Sequence, residues 1–388
     1  MLSGCSISVF NRAWDIKRNG FHTTGNCGIL SRTAPGRTDP GRKPQADHLT
    51  TSTAFRFDQP ATTGLLLLNL GTPDSPSVPD VRRYLAEFLS DPRIVEIPPL
   101  AWKLVLHGVI LRTRPRKSAK AYQAVWNEKG SPLLYLSERL LAELPDDIPV
   151  ALGMRYGNPS IETALDKLRG LNAQRILVLP MYPQYSATTT ASTFDAIARV
   201  LSKWRWIPEL RLVNQYHAHP LYIDALADSV RAWQAEHGTP ERLLMSFHGI
   251  PKDYATAGDP YPGQCRRTAR LLADRLGMRD GAWALSFQSR MGPREWLKPY
   301  TSETLKQWGK EGVERVQVIC PGFSVDCLET LEEIAVENRD YFLGAGGKTY
   351  EYIPALNAGD GQRALLHSLW RQHTEGWEDT PPGSAETV

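Results

Sequence analysis

From Gly64 onward, short apolar runs alternate with longer stretches in which apolar residues recur every three or four positions. The runs at 64–70 (GLLLLNL), 150–154 (VALGM), 175–180 (RILVLP) and 210–214 (LRLVN) predict one series of strands. Those at 242–247 (RLLMSF), 282–287 (AWALSF) and 315–320 (RVQVIC), with a weak last strand near Tyr350, predict a second. Runs without polar alternation fit strands buried on both faces, as in parallel sheets. The helical pattern fills the gaps, at Ser77–Leu89, Ile161–Arg169, Leu221–Glu236 and Ser302–Gly309, so the order of elements predicts an α/β protein.

The two series resemble each other. LLLLNLGTP at 65–73 parallels RLLMSFHGIP at 242–251, and ALGMRYG at 151–157 parallels LSFQSRMG at 285–292. ILVLPMYPQYS at 176–186 parallels VQVICPGFSVD at 316–326. Three matches in one order predict two similar Rossmann-like, doubly wound domains. The expected bounds are 64–215, completed by a C-terminal helix at 358–373, and 216–357. Ligands in such folds bind beyond the carboxyl ends of the strands, which is where the informative residues should sit.

Residues 1–63 hold eight Arg or Lys, four acidic residues and no periodic apolar pattern. They are expected to be a disordered extension, as is a tail at 374–388. The acidic residues argue against a transit peptide. The net charge of +3 over 388 residues leaves no nucleic-acid footprint. Five cysteines without CxxC spacing fit a reducing, cytoplasmic setting. Ile97–Leu111 (IPPLAWKLVLHGVIL) is too short to span a bilayer. It precedes Arg112, Arg114, Arg116 and Lys117, a pattern that fits either a core helix with a solvated basic end or peripheral contact with an anionic membrane.

Candidate chemistry sits at the strand ends. His248 lies in Ser246-Phe247-His248-Gly249-Ile250-Pro251, ahead of Gly258-Asp259-Pro260-Tyr261. An imidazole there can accept a proton or ligate a metal, although a strand-end histidine taken alone is more often structural. Asp326-Cys327-Leu328-Glu329 opens an acidic segment at the matching position of the second series, with Glu329, Glu333 and Glu337 near one helical face. His217 and His219 form a His-x-His pair without an obvious third ligand.

GLLLLNLGTPDSP, SDPRIVEIP, LRTRPRKSAKAYQAVW, YPQYSATTTAST, LMSFHGIP, GDPYPGQC, SRMGPREWLKPYTSETL and PGFSVDCLETLEEI resemble ferrochelatase segments in the family's order, from about Gly64 to Leu356. The resemblance implies a monomer with a porphyrin cleft between two domains, inserting Fe²⁺ into protoporphyrin IX with release of two protons. A chelatase for a related porphyrin or metal, or a non-catalytic tetrapyrrole carrier, is the alternative. By resemblance His248 and Glu329 are the catalytic and metal-binding pair, with Glu333, Glu337 and Asp326 as a path for incoming metal. Asp326 is also a candidate to orient its neighbours. Arg114, Lys117, Tyr122, Ser131, Arg155, Tyr185, Tyr261 and Ser289 are the porphyrin-binding candidates. No cofactor is expected beyond the two substrates. Ala187 and the lack of cysteine after Cys327 depart from relatives that hold an iron–sulfur cluster, so no cluster is expected. Cys327 stands where many relatives have histidine.

Overall fold

Strand β1 (Thr62–Thr72) shows how the chain sorts its apolar residues. Successive side chains of a strand point to opposite faces. Leu65 and Leu67 accordingly enter one buried cluster, and Leu66 and Leu68 another. At roughly 2 kcal/mol per buried leucine, burial on both faces favours a central strand strongly. The computed structural model describes residues 55–145, 148–292 and 294–377. Residues 1–54 of the expected extension and 378–388 of the expected tail lie outside the described residues.

β1 pairs in parallel with β2 (Val150–Gly157) and β3 (Ala173–Pro180), and β3 with β4 (Glu209–Leu212). The second sheet is built from β5 (Arg242–His248), β6 (Trp283–Gln288), β7 (Arg315–Ile319) and β8 (Thr349–Ile353), again all parallel. The orders are β2-β1-β3-β4 and β6-β5-β7-β8, so each strand has its counterpart four positions on. The duplication inferred from the sequence is therefore a duplication of topology.

The motif after the first strand of each sheet has a steric cause. Gly71 has φ +107°, and a Cβ there would lie 1.8 Å from the Tyr156 carbonyl oxygen. A Cβ on Gly249 would come within 2.8 Å of the Gln288 carbonyl oxygen, which accepts the Gly249 N–H at 2.8 Å. Both chain turns leave the sheet only because the neighbouring strand can approach a residue without a side chain.

The first half carries α1 (Val78–Ser90), α2 (Pro99–Val105), α3 (Leu111–Val125), α4 (Pro132–Ala142), α5 (Ile161–Gly170) and α6 (Ser192–Leu201). Then follow α7 (Pro220–His237), α8 (Lys252–Thr256), α9 (Tyr261–Leu276), α10 (Thr301–Lys310), α11 (Arg339–Gly344) and α12 (Asp360–Thr374). The Ser77 hydroxyl caps α1 by accepting from Asp80 N–H, and Ser160 caps α5 through Thr163 N–H. Leu133 and Leu140 of α4, Leu226 of α7, Leu272 of α9 and Leu365 of α12 share one core with the inward faces of β1 and β5. From Phe55 the two halves thus form one compact unit.

Among the described residues three segments are π-helical: Leu106–Ile110, Ala187–Ala191 and Glu329–Asn338. The latter two follow β3 and β7, the paired third strands. Asp259, in the second half, accepts from Ser186 Oγ and Ala187 N–H, both at 2.8 Å, at the start of the middle segment. The Gly-Asp-Pro-Tyr motif therefore ties one half to the other.

Two expectations are corrected. Residues 55–63 are not unstructured: the Phe55 ring packs edge-on against Trp206 at 4.6 Å, and Arg56 exchanges hydrogen bonds with Asn172. The tail is docked as far as Trp377, which is 3% exposed, lies under the Arg211 guanidinium and donates through Nε1 to Glu209. A single aromatic anchor leaves no periodic trace in the sequence. The stretch 97–111 is neither wholly core nor wholly surface, since Trp102, Leu106 and Ile110 are buried while Leu100, Leu104 and Val109 are exposed. The C-terminal helix α12 packs against both α7 and β3.

Removing a large buried aromatic costs about 3–5 kcal/mol. Trp377→Ala should therefore lower the denaturant midpoint clearly, and Trp377→Phe should lower it less. Unchanged unfolding of Trp377→Ala would show that the docked end contributes nothing to stability.

Candidate active site

His248 is the last residue of β5, a strand flanked by β6 and β7, so it opens onto the carboxyl edge of the second sheet. Its Nδ1 lies 2.7 Å from the Gly249 carbonyl oxygen. A carbonyl only accepts, so Nδ1 carries the proton and Nε2 is left as the basic nitrogen. Across the ring, 6.4 Å between centroids, stands Phe323 of the loop after β7.

That loop leads into the π-helix Glu329–Asn338. Glu329, Glu332 and Glu333 are half-buried on it, and Glu337 is exposed. Ser289, just past β6, sits at φ +65° and turns both its N–H, at 2.7 Å, and its hydroxyl onto the Glu333 carboxylate. Burial pushes Glu333 up to about 7 against those two hydrogen bonds, with Glu329 and Glu337 adding to the rise. Burial likewise raises Glu332, as do Glu337 and Glu329, while Lys117 opposes the rise. Glu332 escaped the sequence reading, which followed only the four-residue spacing. Glu337 accepts from the Tyr341 hydroxyl at 2.5 Å.

Asp326 does not join this row. Its buried carboxylate accepts from Tyr352 Oη, Thr330 Oγ1, Asn357 Nδ2 and Ala355 N–H. That places it as an anchor for the helix start, and the expected place on a metal path is corrected. Cys327 is buried beside it, its thiol held well above the ordinary range by burial and then by Glu329.

The first half contributes α3. Arg114 is half-buried and reaches Met291 Sδ at 3.1 Å, bridging to the loop after β6. Lys117 lies on the same helix and interacts electrostatically with Glu332. The Tyr122 hydroxyl is pushed well up by burial, then by Glu329 and Cys327, so the three share one neighbourhood. Tyr185 is half-buried after β3, its N–H donating to Gln264 Oε1.

Three porphyrin candidates are otherwise engaged. Ser131 is buried and accepts from Thr72 Oγ1 at the start of α4. Arg155 is buried in a network with Asp91, Ser192 and Tyr156. Burial alone would raise Asp91, but hydrogen bonds from Ser192, Tyr156 and the Arg93 N–H, with the charge of Arg155, outweigh it and hold the carboxyl below its usual range. Tyr261 is part of the central core. The structure therefore gathers His248, Glu329, Glu333, Ser289, Tyr122, Arg114 and Lys117 around the strand ends and gives Ser131, Arg155 and Tyr261 packing partners instead. His219 caps α7 by accepting from Leu221 N–H at Nδ1. Among the described residues no three or more His, Cys, Asp or Glu side chains are grouped so as to hold a metal ion.

A comparison with protein families matches residues 62–374 to ferrochelatase. The chain is 55% identical over 336 residues to a ferrochelatase of Nitrosococcus oceani, covering 85% of this chain and 91% of that protein. It is 54% identical to one of Thioalkalivibrio sulfidiphilus (86% and 93% covered) and 52% identical to one of Hydrogenovibrio crunogenus (86% and 92% covered). This chain belongs to the ferrochelatase family.

Proposed function

We propose that this protein inserts Fe²⁺ into protoporphyrin IX, forming protohaem and releasing two protons. The observation that carries the reading is the His248 ring, its Nδ1 committed to a backbone carbonyl and its Nε2 left basic, at the same sheet edge as a row of partly buried carboxylates. Metallation must remove two pyrrole protons and strip water from Fe²⁺. His248 Nε2 suits proton transfer or ligation of the incoming iron. Glu329 supplies a hard oxygen ligand that holds Fe²⁺ and releases it. Glu337, Glu333 and Glu329 run from exposed to half-buried, which fits passage of a cation inward. Arg114 and Lys117 suit the propionates, and the rings of Tyr122 and Tyr185 suit the porphyrin rim.

The reading includes no iron–sulfur cluster. Ala187 stands where cluster-holding relatives have a cysteine, and no cysteine follows Cys327 in the sequence.

The lip formed by α2 and the π-turn after it suits lipid contact. Leu100 and Leu104 are 83% and 77% exposed, beside exposed Lys103, Arg112, Arg116 and Lys120. Trp102 and Leu106 of the same stretch are buried and take no part in that contact. No helix among the described residues is long and apolar enough to cross a membrane, so the contact proposed is peripheral.

His248→Ala should lower kcat at least about 100-fold, the scale of a lost acid–base group, with porphyrin affinity preserved by fluorescence quenching. Retention of a tenth of the wild-type rate would remove His248 from the chemistry.

Glu333 is mostly protonated below pH 7 and ionised above it, so a metal ion must displace its proton on the acid side. The wild-type KM for Zn²⁺ or anaerobic Fe²⁺ should rise by up to about tenfold per unit as pH falls below 7. The ratio of Glu333→Gln to wild-type KM should therefore be large at pH 8 and shrink toward pH 6. A ratio independent of pH would exclude Glu333 from metal delivery.

Leu100→Ser/Leu104→Ser should weaken co-sedimentation with anionic vesicles, and high salt should weaken it further, each basic residue near the surface contributing about 1 kcal/mol. Equal wild-type binding to neutral and anionic vesicles, or to neither, would leave the segment as a helix with a solvated basic end.

A further inference from the structure

The π-helix Glu329–Asn338 has no intrinsic claim to its geometry. Its i→i+5 hydrogen bonding is rare over even a single turn, so something outside it must fix its start. We propose that Asn357, in the loop between β8 and α12, is a positioning residue that sets where Glu329 sits. This rests on the reading of Glu329 as an iron ligand.

Asn357 holds a left-handed backbone, φ +50°, which few residues other than glycine and asparagine accept readily. From there it makes three bonds to the turn that leads into the π-helix. Its N–H donates to the Ser324 carbonyl oxygen at 3.0 Å. Its Nδ2 donates to Asp326 Oδ2 at 2.8 Å, and its Oδ1 accepts from Asp326 N–H at 2.9 Å. The side-chain amide thus pairs with both the carboxylate and the backbone of one residue.

Asp326 passes that hold onward. Its side chain is buried, 5% exposed, and its other oxygen, Oδ1, accepts from Tyr352 Oη at 2.6 Å, Thr330 Oγ1 at 3.0 Å and Ala355 N–H at 3.3 Å. Thr330 Oγ1 in turn accepts from Cys327 N–H at 3.0 Å. Glu329 lies between Cys327 and Thr330, inside a span whose two ends are pinned to Asp326 and so to Asn357 and Tyr352. A carboxylate buried among neutral donors is costly unless each bond is made. Losing one donor should therefore shift the turn rather than leave it in place.

The parameter at risk is iron capture, because the porphyrin candidates Arg114, Lys117 and Tyr122 sit on α3, in the other half. The test uses the full-length chain and anaerobic steady-state kinetics with each substrate varied. Asn357→Gly keeps the left-handed backbone free of strain but deletes both amide bonds. Tyr352→Phe deletes one donor to Asp326 and keeps the ring. Each should raise KM for Fe²⁺ by about 5- to 20-fold, within the losses that misplacement of about an ångström produces, and leave the porphyrin KM within about twofold. The double variant should do less than the product of the two, since both act through Asp326.

If Asn357→Gly fails to fold, Tyr352→Phe decides alone. An unchanged iron KM in Tyr352→Phe, or equal movement of the iron and porphyrin KM values, would overturn the positioning role. A wild-type chain that binds porphyrin but metallates nothing would instead overturn the functional reading on which this one stands.

Discussion

The structure depends on one constraint: both sheets are parallel and buried on both faces. Leu65 to Leu68 fill clusters above and below β1, and Leu243, Leu244, Met245 and Phe247 do the same around β5. Little room for a titratable group remains along such strands, because an unpaired charge there would cost several kcal/mol. Polar chemistry is displaced to the carboxyl ends, where the chain turns away at Gly71 and Gly249. His248, Ser289 and the acidic π-helix all occupy that edge of the second sheet.

The duplicated topology then explains why the two halves are not interchangeable. After β3 the equivalent turn gives a short π-segment of alanine and threonine, capped by Asp259 from the other half. After β7 it gives a longer segment rich in glutamate, anchored through Asp326. The same geometry serves as a structural joint in one half and carries carboxylates in the other. On the proposed reading, basic α3 faces acidic π-helix across the cleft, so the anionic rim of the porphyrin and the cationic metal meet opposite charges on opposite sides.

Much of this was legible in the chain. Every strand appears within a few residues of its expected position, because runs buried on both faces are unambiguous. The repeat of Gly-x-Pro after the first strand of each series marked the turns that need a close approach. The π-helices were not legible, since a four-residue spacing of Glu329, Glu333 and Glu337 is equally what an α-helix would present. Nor were the roles of Ser131 and Arg155, and of the two roles open to Asp326 only its donors select the orienting one. A motif fixes where a polar residue lies, but only its donors decide whether it faces a ligand or closes a network. Phe55 and Trp377 were missed for a related reason: each docks through one ring, and a single contact has no period.

The same distinction bears on how the site holds its groups. His248 is oriented by a backbone carbonyl, which fixes the tautomer without adding a negative charge beside the ring. Glu333 is oriented by a backbone N–H and a hydroxyl, which favour its ionised form without supplying a cation. On the proposed reading, a lysine or arginine in either place would repel an incoming metal, and a further carboxylate behind the histidine would strengthen retention of a proton that must be given up. Neutral partners set the geometry and leave the electrostatics to the substrates, as a site that takes up a dication and releases two protons requires.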